Sequence, residues 1–527
     1  MKQFTAGRQL FVKDRDHGPE LVHSPGSLRP SPEASPANSA HAYRYGRMLR
    51  KPGPLPEYRP EVEALMELGL SMEAQGDLGE NPGLPSGYTY LGQFIDHDLT
   101  AFDSSTSLFE KELTPEVLFS NCTPSLDLDS LYGLGPELER RHPSGRRIYE
   151  DDGIKLRVGL TTGDPVVGID ALFPHDLPRG DDPQWRQRAS IADPRNDENL
   201  VIAQTHVAFI RFHNAVVDRL AAEYPADQLF QAARRKVVQH YHWIILHDFL
   251  PRIIEVEALQ EVRRNGCQFL VREPGEAPFM PVEFSFAVFR FGHSLVRNSY
   301  QWNRVFQSRP HGYHPAALAE LLSNTGSGEN TLAVVLKLPS SWIIDWTRFY
   351  DFTGFPGVEN NPRSNVARRI GPSLSPKLMD LPTSPAGGRP FRSLAVLNLL
   401  RGRSVGLPSG QDVAERLGIQ NALTPDEIAS GPQGEVLKRH GFDRLTPLWY
   451  YILKEAEVRC EGRRLGPVGS RIVAETFIDL LSVSEHSILA EGKAGELIWR
   501  PDLGPVIPGR FLMSDLLFFL HRASETG

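Results

Sequence analysis

Cysteine is scarce in this chain. Only Cys122, Cys267 and Cys460 occur in 527 residues, far apart and without a CxxC pair, so neither a disulfide framework nor a cysteine zinc site is indicated. Basic charge is also lacking. A formal charge of −8 and a pI near 6.1 leave no positive footprint for phosphates, which sets nucleic acid aside as a partner. No run of about 20 apolar residues marks a transmembrane segment. The N-terminus, MKQFTAGRQLFVKDRDHG, lacks the roughly 7–15-residue apolar stretch of a secretory signal. The expectation is a soluble protein, cytoplasmic or exported by a non-Sec route.

What the chain does have is material for a large core, with 40% hydrophobic and 9% aromatic residues. Residues 18–40 are dense in Pro, Ser, Gly and Ala and cannot bury enough apolar surface to offset ordering entropy. Residues 1–50 are therefore read as a flexible tail and 55–520 as one mainly α domain with few short strands and long loops. Helical patterns dominate: EVEALMELGLSM, LVIAQTHVAFIRFHNAVVDRLAAEY and DQLFQAARRKVVQHYHWIILHDFL. In the second, Leu200, Ala203, Val207, Ile210, Val217 and Leu220 form one face, interrupted at Asn214. In TPDEIA, Thr424, Pro425 and Glu427 predict a capped helix start.

Five segments carry chemistry. In GQFIDHDLT, Gln93 and His97 are four apart and share a helical face, whereas Asp96 and Asp98 lie about 200° apart around the axis and point different ways. Taken alone, this segment could equally be an acidic turn with a surface histidine. In TPSLDLDSLYG, Thr123, Ser125, Asp127 and Asp129 alternate like a hard-oxygen calcium loop, although it lacks the glycine and closing glutamate of an EF-hand. In ADPRNDENL, Asn196 or Asp197 can cap the helix that follows. Arg195 does not fit that explanation, because a cation at a helix N-terminus needs an anion or a reacting ligand to meet it. In FRFGHSLVRNSY, His293 sits among Phe289, Phe291 and Leu295, where a satisfied core histidine is the plain alternative. In AVLNLLRGRSVGLPSG, Asn398 lies in an apolar run and needs partners, and Arg401 and Arg403 suit carboxylates.

These segments in this order, together with SWIIDWTRFYDF and PLWYYILKEAE, resemble the peroxidase-cyclooxygenase superfamily. The likeness is to the animal-type haem peroxidases, particularly bacterial members, over about residues 60 to 515. The resemblance implies haem b as cofactor, His97 as distal histidine with Gln93 beside it, and Arg195 as distal arginine. It implies His293 as proximal iron ligand, Asn398 as acceptor from its second ring nitrogen, and Arg290 and Arg401 near the haem. Asp96 and Glu198 match the family's ester links to haem. Asp98, Thr123, Ser125, Asp127 and Asp129 match its ligands for one calcium ion. The implied activity is reduction of hydrogen peroxide through a ferryl intermediate and oxidation of small donors: iodide, bromide, thiocyanate or phenols. Where members with a sulfonium haem link carry methionine, this chain has Asn199, which implies no such link and a less oxidising haem.

Two rivals stand beside this reading. A fatty-acid dioxygenase or cyclooxygenase shares the fold, but the cyclooxygenase tyrosine three residues before the proximal histidine is Arg290 here. A non-haem metal phosphohydrolase would draw on His97/Asp98 and His247/Asp248, with His240 and His242 on the same helix.

Overall fold

The computed structural model describes residues 10–15, 18–22 and 43–526, apart from 75–78, 101–111, 116–117, 121, 143–146, 165–166, 180–188, 309–313, 326–336, 359–360, 362–363, 382–388 and 490–496. The architecture is mainly α. Its principal helices are α1 (Val62–Ser71), α2 (Gly87–Leu99), α3 (Leu200–Leu220), α4 (Ala226–Ile244), α5 (Leu394–Ser404), α6 (Leu448–Cys460), α7 (Pro467–Val483) and α8 (Met513–Thr526). Among the described residues, strands are two to six residues long, in four sheets of two or three strands.

Helix α3 is the hub, packed by α2, α4 and α8. Residues 200–210 are buried all round, including Gln204, Thr205 and His206. This helix is long and apolar enough to cross a membrane, more than the sequence reading allowed, and 83% of its apolar window is buried inside the protein. Asn214, the gap in its stripe, has a use. Its amide accepts from the Leu156 N–H and donates to the Leu156 carbonyl, both at 2.8 Å, which sews a loop onto the helix.

Helix α2 enters through a tight contact. A side chain at Gly87 would overlap the Tyr350 ring, and the Gly87 N–H donates to the Phe349 carbonyl at 2.9 Å. Leu91, Phe94 and Ile95 are fully buried, and Phe94 stacks on Phe209 of α3 at 4.5 Å. Each such burial contributes about 1.5–3 kcal/mol, and a ring pair about 0.5–1.5 kcal/mol more. Helix α2 also packs on the 3-10 segment Val288–Leu295, which in turn contacts α6 and α7. Thus α2 contacts both the hub and the segment that carries His293.

The third predicted helix is not uniform. Past Ile244 it widens into a π-turn, Ile245–Phe249, before Leu250–Ile253. Pro251 has no N–H for the carbonyl four residues back and clashes with it, so the helix is read through with a wider turn. The capped start at Thr424 is as expected, with Glu427 reaching back, but the helix is only Pro425–Ile428.

The packed chain begins earlier than residue 55. Tyr43–Gly46 pairs with Phe119–Ser120 and Met280–Pro281, and Met48 and Leu49 are buried. Arg47 and Arg50 anchor this strap to Glu57 and Glu276, polar bonds that its composition hides. Leu10–Arg15 and Gly18–Val22 form an antiparallel pair, and residues 23–42 of the expected tail lie outside the described residues.

Candidate haem site

Residues 193–199 meet α2 and form a closed hydrogen-bond set. Pro194–Asp197 is a 3-10 turn, and the cap of α3 is Asn199, whose Oδ1 accepts from the Ile202 N–H at 3.0 Å. The expected caps, Asn196 and Asp197, are consumed by the turn and have other partners. Asp197 takes both nitrogens of Arg179, at 2.7 and 3.0 Å. Asn199 also donates from Nδ2 to Gln93 Oε1 at 3.0 Å, which leaves Gln93 Nε2 to donate to Glu198 Oε1.

His97 is fully buried. Its Nδ1 lies 2.7 Å from Asn196 Oδ1, and its Nε2 is 3.8 Å from Glu198 Oε1. Burial pushes the Glu198 carboxyl well above its ordinary range, with Asp193 and Asp96 adding to the rise against Arg195 and Gln93.

The anion demanded by Arg195 is Asp193, two residues earlier. Arg195 Nε donates to its carboxylate at 3.1 Å and Nη2 at 2.6 Å, while Nη2 also donates to the His97 carbonyl at 3.1 Å. Burial would raise the Asp193 carboxyl, but the Arg195 guanidinium outweighs it and holds the pKa down at about 2. Asp193 was missed in the sequence, although the Asp-Pro-Arg order carries its signal. An aspartate before proline starts an Asx-turn, and the Arg195 N–H indeed donates to Asp193 Oδ1 at 2.9 Å.

As the helical geometry predicts, the two acidic neighbours of His97 diverge. Asp96 accepts from Thr100 Oγ1 at 3.1 Å. Asp98 accepts from the Leu128 N–H at 3.1 Å and the Ser130 N–H at 3.4 Å. The loop beneath Asp98 is self-bonded. Thr123 donates to Asp129 through Oγ1 at 2.6 Å, and Ser125 and Ser484 each donate to Asp127 at 2.5 Å. Burial raises the Asp98 carboxyl, and the charges of Asp129 and Asp127 raise it further. The donor set is hard oxygen and short of positive charge, which suits calcium. Among the described residues, however, no group of three His, Cys, Asp or Glu side chains converges closely enough to hold a metal ion. The phosphohydrolase histidines are also accounted for. His240 bonds to the Lys236 carbonyl, His242 to the Leu126 carbonyl, and His247 packs tilted against Trp243, with ring centroids 4.0 Å apart.

His293 and Asn398 meet across 105 residues, with Nδ1 and Nδ2 2.9 Å apart. Arg290 Nη1 donates to Asn398 Oδ1 at 3.3 Å. The amide therefore turns its nitrogen to His293, opposite to the expected polarity, because a guanidinium can only donate and claims the oxygen. Trp449 of α6 donates to the Arg290 carbonyl at 3.4 Å. Arg290, Asn398 and Arg401 are all buried, whereas Arg403 leaves the site and donates to the Pro60 carbonyl at 2.7 Å. Two imidazoles on packed elements, buried carboxyls and two buried guanidiniums are a donor set that fits a haem with its propionates.

Comparison with known proteins agrees with that fit. The animal haem peroxidase family matches residues 108–481. Similar proteins include a peroxidase-like protein of Margaritifera margaritifera, 27% identical over 376 residues that cover 61% of this chain and 44% of that protein. Thyroid peroxidase of Sus scrofa is 25% identical over 383 residues, covering 68% of this chain and 37% of that one. The chain thus spans less than half the length of these relatives. Among solved structures, peroxidase A from Dictyostelium discoideum superposes with TM-score 0.57 at 16% identity, over 84% of this chain and 87% of that one. A palmitic acid complex of the fatty acid alpha-dioxygenase of Oryza sativa gives 0.56 at 14% identity, over 85% and 76%. At these identities the structures speak for the shared fold, and the match over residues 108–481 settles the family: the chain belongs to the animal haem peroxidases.

Proposed function

We propose that the protein is a haem peroxidase that reduces hydrogen peroxide and oxidises small donors such as iodide, bromide, thiocyanate or phenols. The observation that carries the proposal is the placement of His97 and His293 on packed elements, each with Nδ1 engaged by a buried asparagine. When bound, haem supplies the iron at which peroxide is cleaved and the redox equivalents that pass to donors.

The chain's own groups do the rest. His97 takes a proton at Nε2 and returns it to the departing oxygen, a service worth roughly 10²–10⁴ in rate. Arg195 stabilises negative charge on that oxygen. Gln93 Nε2, oriented by Asn199, presents N–H rather than carbonyl to the distal space. His293 would hold the iron, and Asn398, with its oxygen turned to the ring, would accept the remaining imidazole proton, fixing the ring and making it more electron-donating. Arg290 and Arg401 meet the propionates. Asp96 and Glu198 are the carboxyls for ester links, and Asp98, Thr123, Ser125, Asp127 and Asp129 hold calcium once their internal bonds give way. The domain runs over 55–520 with the strap from Tyr43 as its edge.

The test is the visible spectrum of the purified protein with added haemin, before and after peroxide, followed by acid-acetone extraction. A Soret band that shifts with peroxide is expected, with haem retained by the protein after extraction. A protein that binds no haemin would sink the proposal. Oxygen uptake with linoleate and no peroxide would assign it to the oxygenases instead.

A further inference from the structure

Within residues 193–199, Asn196 bonds across the site rather than along the chain. It is wholly buried and lies between two imidazoles, with Oδ1 at 2.7 Å from His97 Nδ1 and Nδ2 at 2.9 Å from His206 Nδ1. An amide oxygen only accepts and an amide nitrogen only donates. Placed this way, Asn196 accepts the proton of His97 Nδ1 and donates one to the lone pair of His206 Nδ1. His206 suits the receiving end. It is buried in α3, edge-on to Phe94 at 5.9 Å, and burial drives its pKa down to about 3, so its ring stays neutral.

We infer that Asn196, backed by His206, is a positioning residue that sets the tautomer of His97, holding the proton on Nδ1 and the lone pair on Nε2. The inference deepens the peroxidase reading and rests on its use of His97 to move the peroxide proton. With the proton on Nδ1, Nε2 is the only ring nitrogen able to accept. When it does, the ring becomes a cation and the Nδ1–H···Oδ1 bond strengthens. When the Nε2 proton passes to the departing oxygen, the ring returns to the same tautomer, ready for the next turnover. The opposite tautomer would carry a proton on Nε2 from the start and could take none. The cap of α3 is Asn199, so the Asn196 side chain is not needed to start the helix.

The experiment is nitrogen NMR on histidine-selectively ¹⁵N-labelled protein as purified, with the His97 signals identified by their loss in His97→Gln. Wild type is expected to show His97 protonated at Nδ1. Asn196→Asp should keep that tautomer, because a carboxylate accepts the same proton, whereas Asn196→Leu should mix the two. In haem-loaded protein, Asn196→Leu should slow reaction with peroxide by on the order of 10²-fold, with Asn196→Asp restoring most of it. His206→Phe, which removes the acceptor for Nδ2 and lets the amide turn over, should also mix the tautomers and decides the matter if Asn196→Leu does not fold. Wild-type His97 protonated at Nε2, or a tautomer unmoved by both Asn196→Leu and His206→Phe, would overturn the inference. Failure to bind haemin would remove the peroxidase reading but leave the tautomer measurement standing.

Discussion

The two clusters of the candidate site, around His97 and around His293, are built differently; in the proposed function they are its distal and proximal faces. On the distal side, Gln93, His97, Arg195, Asn196, Glu198 and Asn199 come from two segments, α2 and the turn before α3, and every one bonds to another of the set or to its partner segment. On the proximal side, His293 with Arg290, Asn398 and Trp449 come from three segments spread over 160 residues, and one amide is shared between a guanidinium and an imidazole. Under the proposed function, the cluster around His293 would rearrange, with Asn398 turning its oxygen from Arg290 to the ring proton. Substitutions should therefore act on catalysis at the distal face and on cofactor retention at the proximal face.

The largest expected effect breaks this comparison most directly. His293→Ala should abolish the Soret band of an ester-free preparation, whereas Asn398→Ala should leave haem bound about 10–100-fold more weakly, as for other partners behind a metal ligand. Haemin titration followed by absorbance measures both. If His97→Ala lost haem as completely as His293→Ala, the division of the two faces into catalysis and cofactor retention would fail.

The next effect belongs to the distal face. Arg195→Ala should cut the rate with peroxide by about 10²–10³ while haemin affinity changes little. Stopped-flow kinetics separates the two. Equal losses in rate and affinity would place Arg195 with the cofactor-holding groups.

The same contrast explains what could be read from the chain. The helical face linking Gln93 to His97 and the divergence of Asp96 from Asp98 follow from the α-helical repeat, a local property, and both are present in the structure. The cap of α3 was misread because the 3-10 turn at Pro194–Asp197 is a tertiary choice, fixed by Arg179 and His97 taking the turn's side chains. Asn199, directly before the first apolar residue of α3, was the better cap on local grounds. The meeting of Asn398 with His293 was legible only through family resemblance, since no local pattern links positions 105 residues apart. Its polarity was not legible, because it depends on where one guanidinium comes to rest. His206 reads in sequence as one more residue of an amphipathic helix.

The smallest effect concerns how the scaffold behind each face responds to pH. Behind the distal face, Asp193 is held at about 2 by Arg195 and His206 at about 3 by burial, so neither changes charge between pH 5 and 8. Behind the proximal face, Glu455 lies on α6, the helix that carries Trp449, and accepts from the Val468 and Gly469 N–H groups at the start of α7. Burial pushes its carboxyl up to about 8, against the pull of those two N–H groups, from an ordinary value of 4.5. Between those values the folded protein keeps a proton that the unfolded chain has shed. Glu455 therefore contributes stability that is fully present below about pH 4.5 and is lost as pH rises toward 8, with a slope of at most about 1.4 kcal/mol per pH unit. Glu455→Gln removes the titrating group and retains an acceptor for one N–H. The difference in Tm between wild type and this variant should then drift steadily in the variant's favour from pH 5 to 8, by on the order of 1–2 °C per pH unit, and level off above 8. Asp193→Asn, measured the same way, should show a constant offset over that range, because its own titration lies below about pH 4. Parallel drifts in both variants would mean that the two scaffolds titrate as one unit and that the distinction between the faces ends at the hydrogen bonds.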